Sequence, residues 1–163
     1  MVVSYSVYIT DSDSAGDPEA NDQHDDWIAF TCKTVGGSFI NKNDVEKLPE
    51  HKSVKIPLGE MEFKITLGGC LFTRIETSAA GSTSWNAFVD FVGEATMSEG
   101  STIYLWIKVK LGDDSAADWM QFFNGDGDMG DYMQCVVRQF RFTLDAATQN
   151  IIATIMLEEE WSS

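Results

Sequence analysis

YMQCVVRQFRFTLDAATQNIIATIMLEEEW, residues Tyr132 to Trp161, is the stretch that decides how this chain folds. Val136, Phe140, Phe142 and Leu144 fall on one face of an extended run, and Gln139, Arg141 and Thr143 on the other. That alternation is the mark of a strand with one buried side. Asp145 to Asn150 is polar and turn-forming, and Ile151 to Leu157 is β-branched and apolar again. The segment therefore predicts a long strand, a short turn and an antiparallel return.

Working back from it, Thr102 to Leu111 alternates, with Ile103, Leu105, Ile107 and Val109 inward and Tyr104, Trp106, Lys108 and Lys110 outward. Two opposed faces that both carry bulky residues imply a strand covered twice, by the core and by a second layer. The helix or a neighbouring subunit is expected to supply that layer. Trp119 to Phe123 reads as a short edge strand. Thr83 to Met97 predicts an amphipathic helix, because Trp85, Phe88, Val89, Val92 and Ala95 recur at helical spacing. Ser82, Thr83 or Ser84 is placed to cap it, and Gly100 to end it. Leu58 to Leu67 and Cys70 to Glu76 read as two strands joined by a tight Gly68-Gly69 turn. Near the N-terminus, Val3, Tyr5, Val7 and Ile9 alternate, as do Ile28, Phe30 and Cys32. The expected fold is α+β and mainly antiparallel β. It is a sandwich or split barrel of about seven strands with one flanking helix at about 83–97.

The chain has 163 residues, a length that predicts one domain spanning 1–163. Hydrophobic residues make up 44%, enough for a packed core. Two segments stand outside the periodic pattern. Residues 10–26 form an acidic loop or insertion, DSDSAGDPEANDQHDD, with no Lys or Arg. Residues 41–57 are polar, contain Pro49 and Pro57, and are expected to form a long loop.

Basic residues number 11 against 26 acidic ones, for a net charge of −15. That balance disfavours binding to phosphate backbones or anionic membranes. Solubility through self-repulsion explains it, as does a surface that must repel nucleic acid. No apolar run is long enough to span a membrane, and no basic and apolar export signal opens the chain. Cys32, Cys70 and Cys135 contain no CxxC and cannot all pair, which argues against a zinc knuckle or a disulfide scaffold.

Chemical motifs are sparse. NGDGDMGD offers oxygens at Asn124, Asp126 and Asp128, which are the calcium candidates. It fails as an EF-hand, because Met129 and Cys135 stand where Gly and Glu are required. DSDSAGD (Asp11 to Asp17) fails at its twelfth position, Asp22. His24 beside Asp25 and Asp26 has no second histidine at ligand spacing, since His51 stands alone. Glu60 and Glu62 pair on one strand face, as chance allows in an acidic chain. No nucleophile elbow, Walker loop or dinucleotide fingerprint occurs. The expectation is a protein that is not an enzyme, with no catalytic residues and no cofactor.

From residue 54 onward, the order of elements resembles that of phage tail tube proteins and related tail or injection-tube proteins. The segments that carry it are VKIPLGEMEFKITLGGC, STSWNAFVDFVGEA, TIYLWIKVKL and the final YMQCVVRQFRFTLDAATQNIIATIMLEEEW. They cover residues 54 to 161, and residues 10–26 have no counterpart. The resemblance implies a sandwich or split barrel that forms rings, commonly hexameric, stacked into a tail tube through which DNA passes without specific binding. Its implied partners are further copies of itself and other tail proteins, with no membrane. The implied location is the virion tail, assembled in the host cytoplasm. The Asn41 to His51 stretch is then the expected inter-ring arm. Two alternatives stay open. One is another tail component, such as a terminator, baseplate or decoration protein. The other is a secreted calcium- or carbohydrate-binding β-sandwich module.

Overall fold

The computed structural model describes residues 4–10, 18, 27–47, 53–73, 75, 84–97, 103–109, 118–123 and 129–159. Ten strands and one helix follow one another along them. They are β1 (Tyr5–Thr10), β2 (Trp27–Cys32), β3 (Thr34–Lys47), β4 (Ser53–Phe72), α1 (Trp85–Met97), β5 (Ile103–Val109), β6 (Asp118–Trp119), β7 (Phe122–Phe123), β8 (Met129–Gly130), β9 (Met133–Leu144) and β10 (Ile151–Glu159). All described strand pairs are antiparallel. The mainly β architecture with one helix is the one the periodicity predicts.

The main sheet runs β1-β2-β4-β10-β9-β5-β6, with β3 added on β4. A further pairing joins β1 to β5, from Ser6↔Lys108 to Thr10↔Tyr104. That contact closes β1, β2, β4, β10, β9 and β5 into a ring. A closed ring of this size has room inside for side chains only. They are Val7 and Ile9, Phe30 and Cys32, Ile65 and Leu67, Leu105 and Ile107, Met133 and Cys135, and Ile151 to Leu157 at alternate positions, all buried.

Helix α1 packs one end of the ring. The Ala87 N–H donates to Ser84 Oγ (3.1 Å), so Ser84 is the N-cap among the three candidates. Phe88, fully buried, meets Phe30 (5.8 Å between ring centroids), Phe72 (5.2 Å) and Phe140 (5.7 Å). Trp85 lies between Phe72 and Phe142. Val89, counted on the apolar face from the sequence, is instead 38% exposed. Toward the other end, Phe122 of β7 packs edge-on against Phe63.

Three expectations are corrected. First, Gly68-Gly69 is not a turn between two strands. β4 runs through it, and Thr154 opposes both glycines between the pairs Ala153↔Cys70 and Ile155↔Leu67. The two glycines form a bulge, with Gly69 at φ 63°. Inward positions consequently skip from Leu67 to Cys70. Second, β9 carries a bulge at Arg138, between Gln139↔Met156 and Val137↔Leu157. Val137, not Val136, therefore shares the core side with Phe140. Third, the described residues of 41–57 are not loop. Residues 41–47 end β3, and 53–57 begin β4, paired from Asn41↔Met61 to Lys47↔Ser53. Pro57, which has no N–H to donate, sits at the register shift between Lys42↔Glu60 and Asn43↔Pro57. The long stretch without apolar alternation is thus a ribbon held by backbone pairing, which needs no such alternation. The acidic segment at 10–26 lies, apart from Thr10 and Pro18, outside the described residues.

Candidate functional site

The ring interior holds no charged side chain among the described residues. It is lined by aliphatic and aromatic side chains and by the thiols of Cys32, Cys70 and Cys135, and no buried polar side-chain atom among the described residues lacks a hydrogen bond. No group of three or more metal-ligating side chains occurs among them either. The calcium candidates Asn124, Asp126 and Asp128 lie outside the described residues, as do His24, His51 and the Asp11 to Asp17 stretch. Glu60 and Glu62 fall on the ribbon strand of β4, opposite Lys42 and Ile40.

What remains is surface, and three parts of it stand out. The first is the ribbon. β10 pairs with β4 only as far as Lys64↔Glu158, so from Phe63 down to Ser53 the described partner of β4 is β3 alone. Eight residues of β3, from Ile40 to Lys47, thus project about 25 Å past the sheet at ~3.3 Å per residue. At its root Phe39 and Ile40 are each 46% exposed, and Phe39 lies 6.3 Å from Phe63. The ribbon also departs from the rest of the chain in charge. Residues 33–64 carry Lys33, Lys42, Lys47, Lys52, Lys55 and Lys64 against Asp44, Glu46, Glu50, Glu60 and Glu62, leaving 5 basic and 21 acidic residues elsewhere. The polar composition of 41–57 concealed this feature. The clustering of lysines was a signal that could have marked it.

The second part is an aromatic layer outside the ring on β1 and β5. Trp106 is 4% exposed and points away from the interior. It packs against Trp119 (5.6 Å) and Tyr132 (5.1 Å), and its Nε1–H donates to Thr10 Oγ1 (3.3 Å). Tyr8 meets Trp119, Tyr104 meets Tyr132, and Lys108 lies over the Trp119 ring at 5.6 Å. The second layer expected over Tyr104 and Trp106 therefore comes from Trp119 of β6 and from Tyr132, just before β9, not from α1. The third part is the outer face of β4 and β10, where Leu71, opposite Ile152, and Met156 stay exposed.

Two ionisable features lie at the end of β10. Arg138 Nε donates to Glu158 Oε2 at 2.8 Å, tying the bulge of β9 to β10. Partial burial pushes the Glu159 carboxyl up to about 7. No helix among the described residues is long and apolar enough to cross a membrane.

No protein-family model matches the chain, and no curated protein matches it in sequence.

Proposed function

We propose that this protein is a structural subunit of a viral tail, self-assembling into stacked rings that form a tube for DNA. The observation that carries the reading is the ribbon of β3 and β4. It is a long arm of nearly balanced charge on a strongly acidic body, with Lys42, Lys47 and Lys55 among Asp44, Glu46, Glu60 and Glu62, and its lysines suit contact with acids on another copy. Of the Asn41 to His51 stretch expected to be the arm, the described residues Asn41 to Lys47 are thus ribbon and not loop. A two-stranded ribbon is marginal in isolation and gains stability from a surface to lie on. Open edges support the same reading. Among the described residues, β3, β6 and the Ser53 to Phe63 part of β4 each have an edge without a partner strand. Such edges are where sheets extend from subunit to subunit.

On this reading the lumen lies between subunits, since side chains fill each ring of strands. DNA would pass along walls of negative potential, and few phosphate-neutralising contacts would trap it. The tube would belong to the virion tail and assemble in the host cytoplasm with other tail proteins.

The test is negative-stain microscopy of the purified protein from low to molar salt, where the Debye length falls to about 3 Å. Hollow tubes or stacked rings are expected once self-repulsion is screened. The ribbon is tested by joining Asn41 to Met61, which face each other across it, through an Asn-Gly turn. The shortened protein should fold and stay monomeric. Tubes that form equally well without the ribbon would refute its role as the arm. Closed rings that never stack would favour a terminator or other fixed tail component.

A further inference from the structure

Two of the three cysteines occupy facing positions. Thr31 pairs with Leu71 and Thr34 with Gly68, a register that puts Cys32 directly opposite Cys70 on neighbouring strands. Directly opposed residues of antiparallel strands have Cα atoms about 4.5–5.5 Å apart, within the ~4.4–6.8 Å that a disulfide spans. Both side chains point into the ring, at 1% and 0% exposure, and their thiols are hydrogen-bonded to each other. Both are free thiols in this structure. The pair sits beside the Gly68-Gly69 bulge, with Cys32 at the end of β2 and Cys70 within β4.

We propose that Cys32 and Cys70 are a redox-responsive pair that closes to a disulfide between β2 and β4 when the protein meets a peroxide. One sulfur attacks the peroxide O–O bond, becoming a sulfenic acid and releasing water. The second sulfur then displaces that hydroxyl, again as water. Two thiols and one hydrogen peroxide thus give one disulfide and two waters, with the two electrons going to the peroxide oxygens. Contact with Cys70 lowers the pKa of Cys32, whereas the same contact and burial raise that of Cys70. Cys70 also has the Leu67 carbonyl as an acceptor at 3.5 Å, which holds its sulfur at the bulge. The bond would tie the end of β2 to β4, strands whose described pairing is Thr31↔Leu71. This inference does not rest on the tail reading and stands or falls separately.

Cys135 is the internal control. It is buried on β9 opposite Ile103 and Glu159, toward the Phe63 end of the ring. The test treats the intact protein with graded hydrogen peroxide, alkylates remaining thiols after denaturation, and maps the peptides by mass. The expected product is a Cys32–Cys70 link with loss of two hydrogens, while Cys135 stays alkylatable. Tm should rise by about 5–10 °C and return with dithiothreitol. Cys135→Ser should keep the shift, and Cys32→Ser should abolish it. The mapping needs no variant to fold. Both thiols still free at peroxide levels that oxidise the exposed Met156 would overturn the proposal. So would sulfinic or sulfonic products, a link through Cys135, or a linked protein with unchanged Tm.

Discussion

Gly69 has a residue-level task that no side chain performs as well. Its φ of 63° lies in the left-handed region, and an added Cβ would meet Lys33 Cβ at 3.1 Å. Gly69→Ala is therefore expected to cost about 1–2 kcal/mol, lowering Tm by roughly 3–6 °C in thermal unfolding. An unchanged Tm would mean that the bulge is not needed. Glu159 makes a different kind of prediction. Its folded pKa of about 7 stands above the ordinary 4.5, so the native state holds this proton more tightly than the unfolded chain. Its contribution is fully present below pH 4.5 and is lost as pH rises through 7. Glu159→Gln should raise Tm relative to the parent at pH 8 and leave it nearly unchanged at pH 4. An equal effect at both pH values would contradict the assignment. The carboxyl is only partly buried, so solvent screening keeps the effect small.

At the scale of elements, capping decides how firmly α1 is placed. Ser84 is 1% exposed and accepts from Ala87, so Ser84→Ala removes a satisfied cap at a buried helix start. The expected loss is about 1 kcal/mol in denaturant unfolding with an unchanged m-value. A ΔΔG near zero would place the cap elsewhere. The same scale separates what the sequence made legible from what it hid. β1, β2, β5 and α1 could be read directly, because each buries one face and its periodicity records that fact. Both bulges were hidden. Gly68-Gly69 serves a turn or a bulge equally well, since either takes a glycine with positive φ, and only the partner strand tells them apart. Arg138 gave no local sign that it would shift Val136 out of register with Phe140. The ribbon was hidden for the opposite reason. Backbone pairing alone holds it, and backbone pairing leaves no apolar period. As for the candidate surfaces, Trp106 and Tyr104 were legible as doubly wanted for burial. Their cover from Trp119 and Tyr132 required the fold.

Across the whole molecule, apolar burial and charge are segregated. The ring interior is filled, the aromatic layer covers β1 and β5 from outside, and acid dominates the sequence beyond residues 33–64. A body of this kind resists close approach of its own copies at low salt, which is why the proposed assembly is tied to screening. The arm, with its lysines and acids nearly balanced, adds little to that repulsion.

The pairing of β1 with β5 also bears on how the protein is made. Thr10 and Tyr104 are neighbours in space and 94 positions apart in sequence. During synthesis, β1 and β2 emerge with Val7, Ile9, Ile28 and Phe30 uncovered, and the strands that enclose them come later, β10 last. At about 5–20 residues per second, that wait lasts roughly 10–30 s. So many distant contacts also make for slow closure once the chain is complete. The seam that seals the ring makes its earliest strands wait longest for their partners, and their apolar face stays open until β5 and β10 have been made.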